Sequence, residues 1–272
     1  MRPVSKTAWW AAGVRAEDAR GAHPICGDAH AHLFLDEEGT RIWQDAAHLV
    51  RPAQSLLMRH ALIDGLLARL LEADPATTVV LAGAGFDARP FRMAGGAWLE
   101  VDTPALISHK EDRLPASRCP RPLRRLGLDL LDPALEEQLR PLAGGPVVVV
   151  LEGVLIYLDD RELRSLLQVL GRALPGHRLI CDVMTDLFMR RYAGELGDLF
   201  SRMGSPFRWR VAAPERVLVE LGYGVEERRY LVEEAVARGL IRAPPWPIRK
   251  LFLRGLFDGS SLLQLRQVAT AP

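Results

Sequence analysis

The stretch Thr78-Val79-Val80-Leu81-Ala82-Gly83-Ala84-Gly85-Phe86-Asp87, followed by Trp98-Leu99-Glu100-Val101-Asp102, decides the fold. Its first half reads as a short buried strand running into a tight glycine turn, and its second as another strand ending on an acid. Gly83 and Gly85 lack Cβ atoms, so the backbone there turns sharply and a ligand can approach N–H groups closely. Asp102 follows Gly83 by 19 residues, the separation that places a carboxylate beside ribose hydroxyls. Gly-X-Gly alone is equally the mark of a plain tight turn. Strand, turn and strand-end acid together predict a nucleoside site.

Outward from this unit the chain alternates. Ahead of it, Ser55 to Leu71 places Leu56, Ile63, Leu66, Leu67, Leu70 and Leu71 at helical spacing, and Asp74-Pro75 stops that helix. An earlier helix is expected over Ser5 to Arg20. Behind the unit, Thr103-Pro104 reads as N-cap and first turn of a helix to Arg113. A third strand is predicted from Arg124 to Leu130, ending on Asp129-Leu130. Val147 to Leu151 is continuous in apolar residues, as in a parallel strand covered on both faces. Asp159 and Glu162 form a capping box for a helix over Leu163 to Leu174, and His177 to Val183 is a fifth strand. This alternation implies one parallel sheet with right-handed crossovers. Thr185 to Pro206 reads as one helix, carrying Phe188, Met189, Tyr192, Leu196, Phe200 and Met203, either a connector or a cap over the strand ends. Pro214 to Leu221 is a further helix, and Val225 to Tyr230 with Leu262 to Val268 form an antiparallel closing pair.

Composition narrows the functions. A chain of 272 residues buries a substantial core, and a net charge of +1 offers no general field for nucleic acid or an anionic membrane. Three scattered cysteines, Cys26, Cys119 and Cys181, fit a reduced cytoplasmic protein. No apolar run approaches a membrane span or a signal-peptide core. Asp28-Ala29-His30-Ala31-His32 resembles the metal-binding His-X-His of amidohydrolases, but no buried strand precedes it to aim both imidazoles, so no metal is expected.

Two nucleoside cofactors fit the turn. Gly83 to Ala88 satisfies the G-x-G-x-x-(G/A) pattern of dinucleotide enzymes. Against that, Arg89-Pro90 and Gly95-Gly96 leave only a short helix to face a pyrophosphate, and Asp87 would repel one. S-adenosylmethionine has no phosphate and tolerates the strand-end acids Asp102, Asp129 and Glu152.

Ala82-Gly83-Ala84-Gly85-Phe86-Asp87-Ala88-Arg89, Glu100-Val101-Asp102-Thr103-Pro104 and Glu152-Gly153-Val154-Leu155-Ile156-Tyr157-Leu158 resemble the leucine carboxyl methyltransferase family, whose bacterial members include polyketide O-methyltransferases. The likeness extends to Thr7-Ala8, Arg15-Ala16, Asp28, Ala31, Arg59 and Ser205-Pro206-Phe207. It implies a class I methyltransferase, an α/β Rossmann-like sheet in one domain over 1–272. Residues 1–75 would form a helical lid, 76–183 the cofactor half, 184–207 a cap and 208–272 the closing strands and helices. By the same likeness Arg59 would hold the methionyl carboxylate of S-adenosylmethionine, with Gly83 lining the methionine and ribose portion. Asp102 would hold the ribose hydroxyls, Asp129 and Leu130 would border adenine, and Glu152 would meet the methionyl amino group. Tyr157 would face the acceptor. Phosphatase-directed members carry an arginine directly after the Asp-Leu pair, where this chain has Leu131, so a small-molecule acceptor is expected rather than a protein terminus.

Arg208 and Arg210, around Trp209, could meet an anionic or planar acceptor, although an exposed strand face explains them as well; Met203 would join them from the cap. For a phenol or enol acceptor a general base is needed, and Tyr157 and His30 are the candidates. The expected activity is O-methylation of a carboxylate or acidic hydroxyl on a small metabolite such as a polyketide. The alternatives are a nicotinamide-dependent oxidoreductase and a non-catalytic protein that keeps the fold.

Overall fold

A computed structural model describes residues 3–242, 244–245, 247–248 and 253–268. Seven strands form one sheet in the order β3-β2-β1-β4-β5-β7-β6: β1 Thr78–Ala82, β2 Ala97–Asp102, β3 Leu123–Gly127, β4 Val147–Leu151, β5 Arg178–Met184, β6 Tyr223–Tyr230 and β7 Ser260–Gln267. Strands β1 to β5 pair in parallel, and β7 runs antiparallel between β5 and β6. The strand order reverses at β1, which has β2 on one side and β4 on the other. Such a reversal opens a crevice beyond the carboxyl ends of the central strands, where ligands of open α/β sheets bind.

Alternation along β1 sorts its side chains onto two buried faces. Val80 and Ala82 join the layer under α7 (Asp160–Ala173), with Leu163, Leu166, Leu167 and Leu170. Val79 and Leu81 join the layer under α3 (Val50–Ala73), with Leu62, Ile63, Leu66 and Leu67. Burial on both faces is why β4 can be an uninterrupted VVVVL. The capping box forms as the sequence predicts, Asp159 accepting from the Glu162 N–H at 2.8 Å and Glu162 from the Asp159 N–H at 2.9 Å.

Several boundaries differ from the sequence reading. Strand β3 stops at Gly127, and Asp129 and Leu130 lie in a turn beyond it. The Asp129 carboxylate accepts the Leu131 N–H at 3.0 Å and its carbonyl the Asp132 N–H, a local bonding scheme that competes with strand pairing. Helix α3 starts five residues early, at Val50, because Pro52 is tolerated in a first turn. Thr103 occupies the N-cap of α5 (Pro104–Arg113), yet its side chain makes no capping bond. The long helix expected over 185–206 is two, α8 (Asp186–Tyr192) and α9 (Gly194–Arg202), divided at Ala193 just ahead of a glycine. Pairing extends β6 back to Tyr223 and starts β7 at Ser260, and a helix over Leu231–Ala237 follows β6 unannounced by the sequence pattern. No helix among the described residues is long and apolar enough to cross a membrane.

Candidate functional site

A cavity of about 930 Å³ lies over the carboxyl ends of β1, β2, β4 and β5. That volume is in the upper range of ligand pockets, about 300–1,000 Å³. Helix α1 (Pro3–Arg20) roofs it with Thr7, Ala8, Trp10, Ala11 and Arg15. Two clips hold the roof: the Arg15 Nη2 donates to the Phe86 carbonyl at 2.8 Å, with its Nε on Asp28 at 3.0 Å, and the Tyr157 hydroxyl is hydrogen-bonded to Thr7.

The glycine turn needs its glycines. Gly83 has φ +74°, and a Cβ there would lie 2.5 Å from Val154 Cγ2. Gly85 has φ +47° and donates its N–H to Asp102 Oδ2 at 2.8 Å. The other Asp102 oxygen accepts the Thr103 N–H at 2.7 Å. Each carboxylate oxygen therefore keeps a lone pair for a ligand hydroxyl. Burial is the largest influence on Asp102 and raises its carboxyl above the ordinary value, against the pull of these two amides and Lys110. The Gly85 N–H is thus committed to a carboxylate within the protein, not presented to a phosphate.

Beyond β4 the chemistry is ionic. Arg59 Nε donates to Glu152 Oε1 at 3.2 Å and its Nη1 to Asp182 Oδ2 at 2.8 Å. Arg89, fully buried, donates to Glu152 at 2.8 Å and to Asp64 at 2.6 Å, and closes tightly on Asp87. Arg92 Nη2 lies 2.8 Å from His60 Nε2, and His60 Nδ1 lies 2.9 Å from Arg89 Nη2 and 3.1 Å from Glu152 Oε2. Burial by itself would raise the Glu152 carboxyl, but Arg89, His60 and Arg59 outweigh it and hold it well below the usual range. The same contest, with Arg89 the leading cation, leaves Asp64 at about 2. Gly153 permits this packing: at φ +65° its missing Cβ would sit 3.0 Å from Arg59 Nη2, and its N–H donates to Asp182 at 2.6 Å.

The far part of the cavity is apolar. Trp10, Phe200, Phe207 and Tyr157 pack edge-on or tilted, with ring centroids 5.4 to 6.4 Å apart, and Phe188, Tyr192 and Leu196 continue the wall. Burial pushes the Tyr157 hydroxyl up to about 12, so at neutral pH it stays protonated.

Of the residues singled out from sequence, Arg59, Gly83, Gly85, Asp102, Asp129, Leu130, Glu152, Tyr157 and Arg208 all line this one cavity. Arg208 is spent on the capping-box acids, 2.6 Å from Asp159 and 2.7 Å from Glu162. Three lie off the lining. His30 sits against Phe91 with ring centroids 5.9 Å apart, Met203 is half-buried under the cap, and Arg210 faces Asp186 at 3.8 Å. Asp28, ahead of His30, is consumed by Arg15. His60, Asp64, Arg89 and Asp182 escaped the sequence reading. For Asp182 there was a signal, a buried acid inside an otherwise apolar strand. The expectation that Asp87 repels a phosphate also changes, because Arg89 neutralises it.

The donor set can be tested against an adenosyl amino acid. A guanidinium flanked by two carboxylates suits a zwitterionic amino-acid head, and a carboxylate with spare lone pairs suits a ribose diol. Thr103 Oγ1, buried beside Asp102, is a further polar group at that end. The residues fit.

Comparison with known proteins agrees. The family model described as leucine carboxyl methyltransferase matches residues 8–171. A candidate S-adenosyl-L-methionine-dependent methyltransferase of Streptomyces coelicolor is 31% identical over 65% of this chain and 68% of its own length. The tetracenomycin polyketide synthesis O-methyltransferase of Streptomyces glaucescens is 25% identical over 74% of this chain and 73% of its own. The chain thus spans about two thirds to three quarters of the length of such relatives. Among solved structures, a candidate methyltransferase from Thermobifida fusca superposes with a TM-score of 0.60, 16% identity and 94% of each chain covered, a likeness of fold.

Proposed function

Because the chain belongs to the leucine carboxyl methyltransferase family and is an S-adenosylmethionine-dependent methyltransferase, we propose that it methylates an oxygen, a carboxylate or an acidic hydroxyl, on a small apolar metabolite of polyketide type. The observation that carries this reading is the composition of this cavity. An aromatic-walled chamber opens directly onto the ionic strand tips, and none of the described titratable groups on the chamber side is a free base. Tyr157 is held protonated and His60 is tied on both nitrogens. An acceptor already ionised at neutral pH needs no base, whereas an ordinary alcohol does. The polyketide O-methyltransferase among the relatives supports the same class.

In this reading Arg59 holds the methionyl carboxylate, Glu152 with Asp182 meets the amino group, and Asp102 holds the ribose diol. Asp129 and Leu130 border the adenine. The bound cofactor supplies an activated methyl group on a sulfonium. The remaining work is positional: α1 and the aromatic wall exclude water, and the Tyr157 hydroxyl orients the acceptor. Alignment of this kind contributes about 7–11 kcal/mol when the reacting atoms meet in line.

Transfer of labelled methyl from S-adenosylmethionine to a panel of aromatic hydroxy acids, followed by mild alkaline hydrolysis, tests the proposal. A methyl ester releases labelled methanol and a phenolic ether does not. Label found only on nitrogen or carbon acceptors would overturn the oxygen assignment.

A further inference from the structure

Among the described residues five arginines line the cavity: Arg15, Arg51, Arg59, Arg208 and Arg242. Three have acid partners, Arg15 in Asp28, Arg59 in Glu152 and Asp182, and Arg208 in Asp159 and Glu162. Arg51 and Arg242 have neither an ion pair nor a hydrogen bond among the described residues, although this protein pairs most of its other cavity charges. Both are exposed, and each adjoins an exposed aliphatic side chain, Val50 at 59% and Ile241 at 42%. Unmatched, exposed cations beside exposed aliphatic side chains on the lining of one cavity are the complement of an amphiphilic anion.

Helix α3 sets the distance. Arg51, Ser55 and Arg59 follow at four-residue steps and all line the cavity, so they form one stripe along the helix. Eight residues of helix separate Arg51 from Arg59 by about 12 Å. Arg59 is half-buried at the strand tips, and Arg51 stands exposed two turns away along the helix. An acid bound at Arg51 is therefore not the oxygen that receives the methyl group. The aromatic wall of Trp10, Phe200 and Phe207 belongs to the same cavity.

We propose that the acceptor is bifunctional: a reacting oxygen at the strand tips, a flat apolar body against the aromatic wall, and a second, permanently anionic group held by Arg51 and Arg242. This rests on the methyltransferase reading above and adds a substrate class to it. The anion is a carboxylate or a phosphate-type ester, either of which a guanidinium grips through paired N–H donors.

Binding of 6-hydroxy-2-naphthoate and of 2-naphthol, which differ by one carboxylate at the distal end, tests the proposal. Each is titrated by calorimetry into protein saturated with S-adenosylhomocysteine. Wild type should bind the naphthoate at least tenfold more tightly. Raising the salt concentration should shrink that preference, since the pair is exposed to solvent. Arg51→Gln and Arg242→Gln should each reduce it and the double variant should erase it, with affinity for 2-naphthol and for S-adenosylhomocysteine retained. Replacing the naphthoate by 6-hydroxynaphthalene-2-phosphate distinguishes the two anions, and a preference for either supports the site. Equal binding of acid and naphthol, a preference that survives the double variant, or no binding of any of the three overturns it. Failure of S-adenosylhomocysteine itself to bind would instead overturn the underlying methyltransferase reading.

Discussion

At the end of β2, Asp102 is held by two neutral backbone amides, and burial lifts its carboxyl above the ordinary range. At the end of β4, on the other side of the central strand, Glu152 is half-buried but is ringed by Arg89, His60 and Arg59 and falls well below that range. Both acids leave a strand tip toward one cavity, and opposite neighbours give them opposite behaviour. The amide-held acid is a weakly anchored acceptor whose charge is available to a ligand. The arginine-held acid is a structural node as well: Arg89 ties α3, the glycine turn and β4 together through Asp64, Asp87 and Glu152. Half of the crevice is thus prepared for a ligand by packing, and the other half by charge.

The sharpest way to break this contrast is Arg89→Met. It strands three buried or half-buried carboxylates, and removal of one partner from a buried ion pair costs about 3–5 kcal/mol. Chemical denaturation should show a loss of that size together with loss of S-adenosylhomocysteine binding. Gly83→Ala acts on the turn between the two ends. With φ at +74° and Val154 in the way, strain of about 1–3 kcal/mol is expected in thermal unfolding. Asp102→Asn should separate the two losses that Arg89→Met combines. S-adenosylhomocysteine affinity should fall tenfold or more, about 1.4 kcal/mol, while the melting temperature stays level or rises, because a half-buried carboxylate with no ion pair is removed.

Acidity separates the two ends most gently. Asp102, raised, takes up its proton first as pH falls, and the fold favours that proton, so affinity for the cofactor product should decline before stability does. Glu152 and Asp64, lowered, contribute stability that is complete above the unfolded carboxylate values near pH ~4. That stability is lost only as pH falls toward their folded values, about 2 for Asp64. Calorimetric titration and thermal melts over the same acidic buffers should give two displaced curves. Coincident curves would mean that the two acids are not held differently.

Much of the frame was legible in the chain. Residues 78 to 102 carried the strand, turn and strand-end acid, β4 and the capping box at Asp159 stood where the pattern put them, and the antiparallel closing strand was foreseen. Local rules govern each of these: period-two burial, left-handed glycines and caps act over a few residues. The misplaced end of β3 and the divided cap helix show where such rules stop, since a turn at Asp129 and a break at Ala193 compete at equal range with strand and helix.

What the sequence determined by itself was the order of elements and which acids sit at strand tips, because hydrophobic period and turn chemistry are written in neighbouring residues. Only the tertiary structure decided which cation each acid meets. Arg59 reaches Asp182 across 123 positions, Arg89 draws together His60, Asp64 and Glu152, and Arg208 pairs with the capping-box acids. Ion pairs form wherever packing brings charges together, and no local period records that.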